Sequence, residues 1–140
     1  MGITERGSDM KELVMKSVLL KMKPKYWELV KTHEKTIEVQ KTRPMDVKLP
    51  VRVFVCIDKK IVGEFLASHF LRRNSVGGLA KRAMVPLQEL IVFAGGEEVY
   101  AWTIEDPVAY DRPRALEELG VKRMPGSWMY VQADEFWPKD

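Results

Sequence analysis

The stretch MKSVLLKMKPKYWELVKTHEKTIEVQKTR, residues 15–43, changes its periodicity twice. Val18, Leu20 and Met22 alternate with Leu19, Lys21 and Lys23, a period of two that predicts a strand over 15–23. Pro24 suits a first helical turn, where its fixed φ fits and its missing N–H is not needed. Tyr26, Trp27, Leu29 and Val30 follow at helical spacing, so 24–32 reads as a short helix. Thr36 to Lys41 alternates again, with Ile37 and Val39 on one face and Thr36, Glu38 and Gln40 on the other. A strand–helix–strand opening of this kind argues for an α+β domain.

Outward from this unit the strand signal dominates. Thr42-Arg43-Pro44 and Pro50 bracket a loop, and Val51, Val53, Val55 and Ile57 form a strongly β-branched strand. Asp58-Lys59-Lys60 is a tight turn without the favoured glycine, and Ile61 to Phe70 is expected to pair back on that strand. Residues 71–82 read as a polar, glycine-bearing loop, and 84–94 as a helix ended by Gly95-Gly96. Val99 to Ile104 is a further strand, Arg114 to Leu119 a short helix closed by Gly120, and Trp128 to Val131 a last strand. Five or six short strands with two or three helices suggest a curled sheet or small β-barrel. Residues 1–14 read as a flexible leader, 15–133 as a single domain and 134–140 as a tail.

Composition sets the outer bounds. A chain of 140 residues with 46% hydrophobic and 31% charged residues is an ordinary one-domain globular chain, which excludes collagen, coiled coil and a wholly disordered polymer. The net charge of +3 conceals an asymmetry: residues 1–60 hold 14 Lys+Arg against 8 Asp+Glu, and residues 61–140 hold 9 against 12. A single cysteine, Cys56, forms no intramolecular disulfide and anchors no zinc site alone, which points to a reducing, cytoplasmic compartment. Neither a secretory signal nor a membrane span is legible; Leu90 to Ala94 is far too short for one. His33 and His69 have no metal-ligand spacing with each other or with Cys56, so no metal and no cofactor is expected.

The candidate chemistry lies in the opening unit. Residues 16–43 carry 8 basic against 3 acidic groups, interleaved with Tyr26 and Trp27. Cations for phosphates and rings for base stacking are what single-stranded nucleic acid requires. The same pattern also fits aromatics packed on a core beneath solvated lysines. Glu38 and Glu64 are carboxylates on predicted strands; Glu64 shares its face with Val62 and Leu66 and would be a buried acid if that face is inside, ionised only beside Lys35 or another cation. Arg72, Arg73, Lys81 and Arg82 form a second basic cluster, and the hydroxyl of Ser127 sits in a flexible turn where it can meet a phosphate.

Several of these segments together resemble the ASCH domains of the PUA-like superfamily. The segment Val18 to Tyr26, then Glu34-Lys35-Thr36-Ile37-Glu38, resembles their opening, whose signature is approximately Gly-x-Lys-x-x-Glu-x-Arg. Lys35 and Glu38 match it, while His33 stands for the glycine and Gln40 for the arginine. Ile61 to Phe65, Tyr100 to Ile104 and Gly120 to Trp128 resemble later strands and the closing segment, so the resemblance spans roughly 16–131 in order. It implies a small PUA-like barrel with a cleft beside it, and RNA or a modified nucleoside as ligand. Some members of the family bind; others are hydrolases, one branch deacylating acetylcytidine with a lysine, a threonine and a glutamate, and another resembling a ribonuclease. That threonine falls where Glu38 stands here. The expectation is therefore an RNA- or nucleotide-binding domain using Lys21, Lys23, Tyr26, Lys35, Gln40, Lys41, Arg43 and Ser127. The alternative is a small hydrolase of a modified nucleoside or RNA, with Lys35, Glu38 and Glu64 catalytic, and a third is a domain whose basic face meets an acidic protein.

Overall fold

The computed structural model describes residues 14–124 and 126–139; residues 1–13, most of the expected leader, Pro125 and Asp140, the last residue of the expected tail, lie outside the described residues. The chain runs β1 (Val14–Lys21), α1 (Pro24–Lys31), β2 (Ile37–Gln40), β3 (Val51–Ile57), β4 (Lys60–Ala67) and β5 (Phe70–Arg73). It continues through α2 (Ala80–Ala83), α3 (Leu87–Ala94), β6 (Val99–Thr103), β7 (Glu105–Ala115), a 3₁₀ turn over Leu116–Leu119, and β8 (Trp128–Asp134). The class is α+β, as the periodicities imply. The strand number is a correction: among the described residues there are eight, in a five-stranded sheet ordered β7-β4-β3-β1-β8 and a three-stranded sheet ordered β2-β6-β5, rather than five or six.

Strand β1 lies inside the larger sheet, parallel to β3 with Val18 opposite Val53, and antiparallel to β8 with Val18 opposite Tyr130. That position explains the unbroken Val18-Leu19-Leu20, because both faces are covered. Val18, Leu20 and Met22 enter a core with Trp27, Phe65 and Trp102, while Leu19 packs on the opposite face with Phe54, Ile61 and Val131. A third cluster joins Ile37 and Val39 of β2 to Leu79, Ala83 and Leu90 beneath α2 and α3.

Gly63 of β4 sets how closely α1 approaches the sheet. A Cβ there would fall inside the van der Waals contacts of Trp27 Cζ2 and the Val108 carbonyl oxygen, so only glycine lets the indole lie against the strand. The β3–β4 hairpin turns through Asp58 (φ 48) and Lys59 (φ 67). Both positions favour Asn-Gly or Asp-Gly, and a lysine in the left-handed region costs about 1 kcal/mol.

Three predicted segments are revised. The hairpin partner of β3 ends at Ala67, and Phe70 opens β5, which pairs with β6 in the other sheet. The expected loop over 71–82 therefore contains the rest of β5 and the start of α2. Strand β7, eleven residues with Pro107 and Pro113, was not expected at all. It forms the outer edge of the larger sheet, where one side needs no donors and proline is tolerated. In the expected tail, Trp137 packs edge-on against Phe54 at 5.2 Å, and the Arg52 guanidinium donates to the carbonyls of Asp134, Glu135 and Trp137. Among the described residues no helix is long and apolar enough to cross a membrane.

Candidate functional site

Lys35 is placed by the way α1 ends. His33 adopts a left-handed conformation (φ 65), and the amides of Glu34 and Lys35 both donate to the Leu29 carbonyl, which turns the chain inward. The Lys35 side chain is 1% exposed. An ammonium so desolvated persists only with close partners. Its Nζ donates to the Ala83 carbonyl at 2.7 Å and lies 3.2 Å from Glu38 Oε1. Ala83 ends α2, where a carbonyl has no intrahelical donor, so the lysine fills that vacancy. The Tyr26 ring completes the surroundings, with its centroid 5.0 Å from Nζ.

Strand alternation brings Glu38 and Gln40 to the same side of β2. The two oxygens of Glu38 are shared: Oε1 faces Lys35, and Oε2 accepts from Gln40 Nε2 at 2.8 Å. Tyr26 reaches α3, its hydroxyl donating to Glu89 Oε2 at 3.4 Å. Burial raises the Tyr26 phenol above its usual range, against the pull of the nearby Lys25.

These groups line a cleft of about 250 Å³ between β2, α1, α3 and the end of β1, with Lys21 and Lys23 at its rim and Phe93 in its wall. A second hollow of about 340 Å³ adjoins it through the shared residues Gln40 and Phe93, and is completed by Lys41, Thr42, Ser127 and Trp128. Trp128 is held in place by its indole N–H, which donates to Thr42 Oγ1 at 2.9 Å. Lys41 Nζ lies 5.5 Å from the Phe93 ring centroid. The structure therefore brings Lys21, Lys23, Tyr26, Lys35, Glu38, Gln40, Lys41 and Ser127 to one composite cleft.

Two predicted residues lie elsewhere. Arg43 donates from Nε to the Pro44 carbonyl at 3.1 Å and stacks on Phe70, its guanidinium 5.1 Å from the ring centroid. Glu64 is partly buried on β4, but the cation beside it is Arg52 and not Lys35. The pair is bidentate, with Nη2 to Oε1 at 2.6 Å and Nε to Oε2 at 3.0 Å, and the Tyr110 hydroxyl donates to Oε1 at 2.7 Å. Burial, then the Glu64 carboxylate, push the Tyr110 phenol far above its usual value. The linked roles expected for Lys35 and Glu64 thus fall in separate hollows, Glu64 lining one with Tyr110 and Arg112.

The sequence reading missed Phe93, Glu89 and Trp128. Phe93 sits in the apolar run Leu90 to Ala94, and its 38% exposure is what distinguishes it from the buried Leu90 and Ala94. Helical spacing was the available signal: three residues past Leu90, Phe93 falls on the flank of the buried stripe. Among the described residues no group of three His, Cys, Asp or Glu side chains is arranged to hold a metal ion.

No protein-family model matches the sequence, and no curated protein matches it. Solved structures do match. The crystal structure of an ASCH protein from Zymomonas mobilis is similar with a TM-score of 0.68 and 19% identity, covering 81% of this chain and 86% of that one. Two single-substitution mutants of that protein match with TM-scores of 0.69 and 0.68, at 17% and 18% identity, each over 81% of this chain. At such identity the likeness concerns the fold, which this chain shares with the ASCH protein over most of its length.

Proposed function

From this ASCH fold and its composite cleft, we propose that the protein binds single-stranded RNA, taking one base into the cleft and holding the backbone phosphates at its rim. The observation that carries the reading is the combination of Lys21, Lys23 and Lys41, without ion-pair partners among the described residues, around walls formed by Tyr26 and Phe93. Cations at the mouth suit phosphates, and rings in the wall suit a base face. At the floor, Lys35, Glu38 and Gln40 hold donors and acceptors in fixed order for a base edge. Ser127 supplies a further hydroxyl in the adjoining hollow.

The test is a fluorescence-anisotropy titration of a labelled single-stranded oligoribonucleotide over a range of salt concentrations. Affinity falls with salt, and Lys21→Gln with Lys23→Gln makes the log–log slope shallower by about 1.4. Absence of binding at low salt overturns the reading.

A second reading rests on one distance. An ammonium and a carboxylate 3.2 Å apart at the floor of a cleft are a pairing that proton transfer can use. A hydrolase built here would rely on Lys35 and Glu38, with Glu64 outside the cleft. Incubation with acetylcytidine and with RNA separates the two: turnover lost in Lys35→Ala favours the enzyme, and saturable binding without product favours the binding domain.

A further inference from the structure

Lys21 has a second environment. Besides the rim of the cleft, it borders a separate hollow of about 420 Å³ at the end of β1 and β3, shared with Cys56, Asp58, Lys59, Arg123 and Met124. Lys21, Lys59 and Arg123 make no ion pair there among the described residues, and Asp58 is the one carboxylate lining the hollow. The charge balance around the space is positive, and its floor is the buried Cys56.

The backbone supports a role for Lys59 beyond filling a turn. It occupies the second central position of a two-residue hairpin at φ 67, which glycine would fill with less strain. A strained residue whose side chain borders a cationic hollow is a reasonable mark of use. The backbone amide of Lys21 donates to the Ser127 carbonyl at 2.8 Å, so the segment carrying Ser127 and the rim lysine are tied together.

We propose that this hollow is a second phosphate subsite, and that the RNA strand entering the cleft continues past Lys21 so that a neighbouring phosphodiester rests between Lys59 and Arg123. The inference rests on the RNA-binding reading of the cleft and extends it: the ligand is an oligonucleotide, not a free nucleoside. A phosphate carries the negative charge that three cations and one carboxylate leave unbalanced. Lys21, lining both spaces, is the shared contact along the path.

The experiment is a length series by isothermal titration: 5′-AMP, then oligoadenylates of two to six residues, against the wild type, Lys59→Gln/Arg123→Gln, and Lys59→Gly. Inorganic phosphate is titrated alongside to separate a strand phosphate from a free one. In the wild type, affinity steps up about tenfold once the strand is long enough to reach the subsite. The double variant loses that step and has a salt slope shallower by about 0.7, while its affinity for 5′-AMP is unchanged. Lys59→Gly melts at or above the wild-type temperature yet binds the longer strands less well, opposite movements that a purely structural lysine does not produce. Lys48→Gln, an exposed charge lining a different hollow, serves as the control for net charge and keeps the step.

If the wild type binds 5′-AMP and the hexamer equally, or if the double variant retains the step, the subsite is overturned and the cleft reading stands. If inorganic phosphate abolishes the step in the wild type without displacing 5′-AMP, the subsite is supported. If the wild type binds none of these ligands, both proposals fall.

Discussion

Lys35 Nζ lies 3.2 Å from Glu38 Oε1, and the lysine is the more deeply buried partner, its side chain 1% exposed against 13% for the glutamate. The pair is therefore asymmetric. Removing the carboxylate leaves a desolvated ammonium with only the Ala83 carbonyl and the Tyr26 ring face, whereas removing the ammonium leaves a carboxylate that still accepts from Gln40 and still meets solvent. Glu38→Ala is expected to lower stability by about 3 kcal/mol, and Lys35→Met by less. The double variant costs less than the two together, because neither leaves a lone buried charge. Urea unfolding of the four proteins measures this, and a costlier Lys35→Met or simple additivity contradicts it.

The glycine of β4 offers a steric test. Gly63→Ala drives a methyl group into the Trp27 ring and the Val108 carbonyl, and the carbonyl belongs to a paired strand that cannot swing aside. A loss of about 2–3 kcal/mol is expected, together with a changed near-ultraviolet signal as the Trp27 indole shifts. An alanine variant as stable as the wild type would show that α1 packs differently.

Tyr110 makes stability depend on alkali. Burial first, and then the Glu64 carboxylate, favour its neutral form, so its folded pKa is raised. Its contribution is fully present below the unfolded tyrosine value of about 10 and declines as pH climbs above it. Between about pH 9 and about pH 11 the wild type therefore loses stability faster than Tyr110→Phe. Urea midpoints across that window give the answer, and parallel curves refute the coupling.

Phe93 separates stacking from charge. It is 38% exposed, so Phe93→Ala changes stability little. It removes a ring from the wall shared by both hollows, and RNA affinity is expected to fall about tenfold with an unchanged salt slope. Lysine variants at the rim do the reverse, altering the slope. An affinity unaffected by Phe93→Ala would place the base elsewhere.

Sequence periodicity carried the opening half of the fold well. The strand, helix and strand over 15–43 and the β-branched strand at 51–57 stand as read, because each has one dominant period and a proline or turn at its boundary. Strand β7 was hidden because Pro107 and Pro113 argue against a strand anywhere except at an edge, and edge position is a property of the assembled sheet. Most of the cleft was legible as a basic, aromatic stretch. Glu64 was legible as a candidate buried acid, but its partner was not. Arg52 meets it across the β3–β4 pairing, a register that no spacing along the chain reveals. Arg43 looked equivalent to Lys41 in sequence, and only the loop path turns it onto Phe70.

The place of β1 inside the larger sheet, between β3 and β8, bears on biosynthesis. As the ribosome extrudes the chain, β1 emerges first among the described strands, finds its parallel neighbour β3 only after α1 and β2 have passed, and keeps one flank bare until β8 follows. Lys21 ends that strand, and its amide is capped by the Ser127 carbonyl just before β8. The two sides of the candidate cleft, the rim lysine at the end of β1 and the wall that Ser127 and Trp128 provide, thus come from segments far apart along the chain and meet only when β8 pairs with β1.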